Sequence, residues 1–162
     1  MKKMNNKGFS LVELIIVIAI MAILIVVLAP QYLKYVERSR NSTDMQNAAT
    51  IKTAIETYAA DPEAQKAFAS ETFTVKIAQA GGTIGVDSNG AVAEALTEAG
   101  LTIGDIKCSS KTKWTSYTIK GTPQSNGGIK WEYENEGGSS TSVFSDAMNG
   151  KTTTPAGGGA GT

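Results

Sequence analysis

Histidine is absent from this sequence, which removes the commonest general base and metal ligand. A single cysteine, Cys108, rules out an intrachain disulfide and a clustered thiolate zinc site. Net charge is missing too. Lys plus Arg total 15 and Asp plus Glu total 15, so no overall field points to nucleic acid or an acidic ligand. No nucleophile–base pair stands out, and Gly81-Gly82-Thr83-Ile84-Gly85 has the wrong spacing for a phosphate loop. Asp61 with Glu63, and Glu132, Glu134 and Glu136, read as solvated turns and faces rather than catalytic acid pairs. These absences predict a chain that is not an enzyme and holds no cofactor or metal. Its 162 residues suffice for one domain plus an extension.

What is present is a long apolar run. Residues 1–8 are polar and basic, with Lys2, Lys3 and Lys7 unaccompanied by any acid. Phe9 to Ala29 is then apolar apart from Ser10 and Glu13. As a helix, this segment spans about 30 Å, the hydrocarbon thickness of a bilayer. Pro30 ends the run. The basic flank predicts an N-terminus in the cytoplasm, with the rest of the chain outside. Tyr32 and Tyr35 suit an interfacial aromatic anchor.

Helical signals continue from Gln31 to Ala60, which contains neither Gly nor Pro. Met45, Ala48, Ile51, Ile55 and Tyr58 recur every three or four residues, on one face. The expected fold is therefore α+β. A helix over about 9–60, bent at Pro30, carries a small antiparallel sheet packed on its C-terminal half. A short helix is expected from Glu63 to Ala69, capped by Asp61, and another from Ala91 to Ala99 before Gly100. Phe73, Val75 and Ile77 alternate as a strand does, with Gly81-Gly82 and residues 87–90 as turns. A hairpin is expected at about 115–134, with Tyr117, Ile119, Ile129, Trp131 and Tyr133 on its apolar side, and Val143-Phe144 as a further strand. Trp131 is expected to help pack the hairpin on the long helix. Cys108 reads as a buried thiol. Lys107, Lys111 and Lys113 read as a solvated loop, so nucleic-acid binding is possible but unsupported.

The stretch Lys7-Gly8-Phe9-Ser10-Leu11-Val12-Glu13-Leu14 resembles the class III signal of type IV pilins. The resemblance covers the leader and the apolar helix up to Pro30; the remainder shows no such match. It implies cleavage after Gly8 by a prepilin peptidase and N-methylation of Phe9. It also implies that Glu13 pairs with the N-terminal amine of a neighbouring subunit. Physically, an acid inside a membrane is unfavourable by roughly a few kcal/mol, so a role is the default. Cleavage creates a cation at Phe9 for it to meet. Solvation of Glu13 near the headgroups is the plainer alternative. Pro30 either loosens the helix for packing in a fibre or marks where the membrane segment ends.

The organisation implied is a leader at 1–8, a membrane and filament-core helix at 9–29 and its amphipathic continuation at 30–60. A head at 61–150 and a flexible Gly/Thr-rich tail at 151–162 follow. Removal of the leader would leave 12 basic and 15 acidic side chains. The expected product is a homopolymeric surface filament, held in the cell membrane with lipid around its helix before assembly. The partners implied are itself, the prepilin peptidase, and an assembly platform with its ATPase. A minor pilin, a competence pilin and a type II secretion pseudopilin share the same N-terminus. The paired late cysteines common in many pilins are lacking, which leaves open what pins the late hairpin.

Overall fold

The computed structural model describes residues 10–68, 71–85, 90–137 and 143–151. The expected leader, Phe9, Ala69, the turn residues 87–89 and the tail from 152 onward lie outside them. The chain divides into two compact units, Met1–Arg38 and Ser39–Thr162.

Helix α1, Leu11–Ala59, is 49 residues long and continues through Pro30. Between Leu11 and Leu28 every large apolar side chain is at least 47% exposed, on all sides of the helix. Such a helix satisfies its own backbone, which lets it exist in lipid, whereas an exposed apolar surface of this extent is unfavourable in water. By length and composition it can cross a membrane.

In the second unit α1 becomes one-sided. Ala48, Ile51 and Ile55 are completely buried, while Met45 and Tyr58 are half-buried at the edges of the same face. Against this face lies a four-stranded antiparallel sheet in the order β2-β1-β3-β4. Its strands are β1 Phe73–Ala78, β2 Gly81–Gly85, β3 Ser116–Pro123 and β4 Ile129–Glu136. The α+β class and the packing on the C-terminal half of the long helix are thus as the sequence predicts.

Register explains the inner face of the sheet. Val75, Ile119 and Tyr133 form one cross-strand row, and Ile77, Tyr117 and Asn135 the next. Phe73, Gly121 and Trp131 form a third. A side chain at Gly121 would collide with the Phe73 ring, which packs edge-on against Trp131 at 5.8 Å. The other face carries charges: Lys120 pairs with Glu132 directly opposite, and Lys76 reaches Glu136 on the diagonal. This alternation gives a sheet with one apolar and one solvated side.

Helix α2, Pro62–Phe68, begins where Asp61 Oδ1 accepts the Glu63 N–H at 2.8 Å, a side-chain N-cap. Helix α3, Ala91–Glu98, buries Val92, Ala95 and Leu96 and ends before Gly100 at φ +71°.

Two expectations need correction. Gly81 and Gly82 are not a turn but open β2, and the turn is Gln79-Ala80. These glycines admit the carbonyls of Ile103 and Gly104, from a short 3-10 turn at Ile103–Asp105 that lies against β2. Val143 and Phe144 are not a strand but the start of helix α4, Val143–Met148. Two adjacent apolar residues cannot separate the two periods. Phe144 and Met148 stand four apart and both join the core cluster, which is helical spacing.

Candidate functional site

The N-terminal segment was expected to carry the function, and its described part begins at Ser10. Ser10 precedes α1, and its backbone N–H donates to Glu13 Oε2 at 3.0 Å. This is the carboxylate half of a capping box, in which the third helical residue reaches back to the N-cap. The signal was present in the sequence as Ser10-Leu11-Val12-Glu13. It gives Glu13 a local role that neither pairing nor solvation anticipates: it satisfies a backbone donor that the helix leaves open. Gly8 and Phe9 lie outside the described residues. Pro30 is inside α1, seventeen residues beyond Glu13, so the two residues do not form one site.

The second unit contains a feature that sequence reasoning missed. Asp44 lies on the buried face of α1 and is completely inaccessible. Its Oδ1 accepts the Ser109 N–H at 2.7 Å. Its Oδ2 accepts the Ser110 N–H at 2.9 Å and the Trp114 Nε1–H at 2.8 Å, with the Cys108 thiol at 3.5 Å. A buried carboxylate is tolerable when its lone pairs are filled in this way. The result is a polar tie between the helix and the irregular segment leading into β3.

An aromatic cluster continues the tie. Phe144 of α4 stacks on Tyr117 at 4.3 Å and meets Trp114 edge-on at 5.0 Å. Buried Asn135 on β4 accepts the Phe144 N–H at 3.0 Å, which fixes the start of α4. Burial, with Asp44 and Cys108 nearby, pushes the Tyr117 phenol far above its ordinary range. Asp44 and this cluster therefore hold the late part of the head without a disulfide. Trp131 packs against the core cluster. It is half-buried, and it ties β4 to α1 through Nε1–H donation to Glu56 Oε1 at 2.8 Å.

Cys108 is buried at 6% exposure. Lys107, Lys111 and Lys113 are exposed. Among the described residues, no three His, Cys, Asp or Glu side chains are placed to hold a metal ion together.

Comparison with known proteins agrees with the N-terminal pattern and extends beyond it. The prokaryotic N-terminal methylation motif matches residues 3–29. The type IV major fimbrial protein FimA of Dichelobacter nodosus is 39% identical over 102 residues, covering 62% of this chain and 64% of that protein. The type IV major pilin protein PilA of Myxococcus xanthus is 35% identical over 67 residues, covering 41% of this chain and 30% of its own length. The fimbrial protein EcpC of Eikenella corrodens is 32% identical over 142 residues, covering 82% of this chain and 84% of that protein. The chain spans less than two thirds of the length of the Dichelobacter relatives. No solved structure matches it significantly. With the apolar helix, the one-sided continuation and the sheet packed on it, the similarity across most of the chain places this protein in the type IV pilin family.

Proposed function

We propose that this chain is a major pilin, made as a precursor, cut after Gly8 by a prepilin peptidase and polymerised into a helical surface filament. One observation carries the reading: the helix between Leu11 and Leu28 exposes apolar side chains on every side. Lipid can cover that surface before assembly, and the same segments of neighbouring subunits can cover it afterwards. The methylation motif supports retention of the helix after cleavage, because the modified terminus would be Phe9 itself. The likeness to relatives named as major fimbrial and major pilin proteins favours the major role over a minor pilin, competence pilin or pseudopilin.

Glu13 has two successive partners in this reading. Before cleavage it caps its own helix through Ser10. After cleavage the new ammonium at Phe9 of a neighbour is a stronger partner, because opposite charges attract strongly where water is excluded. Its working partners are other copies of itself, the peptidase, and the platform and ATPase of an assembly machine. Pro30 sits where the helix leaves the segment to be covered.

The test is to isolate surface fibres and sequence their subunit. N-terminal sequencing is expected to begin at a methylated Phe9, with immunogold label along whole fibres. Label confined to tips, or a subunit starting at Met1, would reject the reading. Glu13→Ala is expected to lower fibre yield about tenfold or more, the scale of an unpaired buried charge.

A further inference from the structure

We infer that the groove between α1 and α3 is a docking site for a second copy of this chain, filled by that copy's basic loop around Lys107 and Lys113. This rests on the filament reading and names one contact within it. The groove is open and encloses about 930 Å³. Ala49, Thr53 and Thr57 of α1 and Ala95 and Ala99 beside them keep its floor low. Glu98 puts a carboxylate on its rim, beside Asp61, which caps α2, and Glu63, which pairs with Lys66 at 3.4 Å, so it suits a cation on a long stem directed at Glu98 rather than an apolar helix.

Glu98 supplies an independent reason. It is the last residue of α3, whose final turn carries no basic side chain. A carboxylate there faces the negative end of the helix dipole, which disfavours folding. Its position is therefore not explained by the stability of its own helix.

The matching cations are on the opposite end of the head's helix. Lys107 and Lys113 are exposed, and they flank Ser109 and Ser110, whose backbones Asp44 holds. The loop is thus fixed before it docks, which lowers the entropy cost of binding. Asp44 and Tyr58 are both on α1, about 20 Å apart along its axis. Asp61 and Glu63 follow the end of that helix, so the acidic end and the basic loop are separated axially. Two different complementary patches on one molecule are what a head-to-tail, open-ended polymer requires.

The experiment is a charge exchange in the full chain, scored as fibre yield from cells at low ionic strength. Glu98→Lys alone, and Lys107→Glu with Lys113→Glu, are each expected to lower yield about tenfold, because like charges then face each other. Combining all three substitutions is expected to restore yield to at least about half the parental level, since opposite charges again meet. Glu98→Lys is not expected to lower the thermal midpoint of the subunit, which separates docking from folding. Variants that assemble as the parent does, or a combination no better than its parts, would overturn the docking while leaving the filament reading intact. Unchanged yield with lost binding of an added polylysine peptide would assign the groove to another basic partner, and equally overturn it. Parental cells without fibres would overturn the filament reading and the docking with it.

Discussion

Asp44 occupies a core position that an apolar side chain would ordinarily take. Its two oxygens accept two backbone N–H groups and an indole N–H, and the Cys108 thiol completes the set. Removing the acceptor strands the donors, whereas changing its charge alone keeps the shape. Asp44→Ala is expected to destabilise the head by about 3–5 kcal/mol, the scale for losing one partner of a buried charged network. Asp44→Asn is expected to cost about 1–3 kcal/mol, because its amide end turns a donor towards donors. Denaturant unfolding of the detergent-solubilised chain checks both, and equal midpoints for Asp44→Asn and the parent would remove the need for the charge. Asp44 was hard to read in the sequence. It precedes Met45 on a helix face whose pattern is otherwise apolar, and its partners lie 64 to 70 residues later. Glu13 differs: its partner is three residues away, so the cap was written locally.

At the scale of elements, the sheet depends on residues that contribute by being small. Gly121 lies in the row between Phe73 and Trp131, and the Phe73 ring occupies the space a Cβ would need. Gly121→Ala is therefore expected to destabilise the head by about 1–3 kcal/mol, as overpacking does. Thermal melting monitored by tryptophan fluorescence checks it, and an unchanged midpoint would mean that the ring moves aside freely. The alternation in β1, β3 and β4 made these strands legible, because a half-buried sheet imposes a period of two. Strand β2 was not legible. Its sequence, Gly81-Gly82-Thr83-Ile84-Gly85, looks like a turn, and only the close approach of Ile103 and Gly104 explains its glycines. The identity of α4 was equally hidden, since its start depends on Asn135, eight residues before it.

At the scale of the whole molecule, the response to pH follows from which groups are buried. Burial raises the phenols of Tyr117 and Tyr133, so both favour the fold while neutral. Their contribution is fully present below the ordinary tyrosine value of 10.0 and is lost as pH rises beyond it. Alkaline titration is expected to show the part of the phenolate absorbance that Tyr117→Phe and Tyr133→Phe remove appearing together with loss of circular dichroism; that part appearing in an intact head would contradict the burial argument. Glu132 and Glu136 shift the other way. Donated hydrogen bonds, from Lys130 to the first and from Lys76 and Ser116 to the second, lower both. Their contribution is present at neutral pH and is lost below the ordinary glutamate value of 4.5, and it is small because both pairs face solvent. The parts that are periodic or contiguous were legible in the chain alone: the apolar helix, its junction with a basic N-terminal segment, the amphipathic face and the alternating strands. Each is a pattern within a few turns or residues, where backbone geometry alone dictates which side chains share a face. Tertiary structure alone decided how a head without a disulfide is held together. Asp44, Trp114, Tyr117, Asn135 and Phe144 meet across long separations in the chain, and no local period records such a meeting.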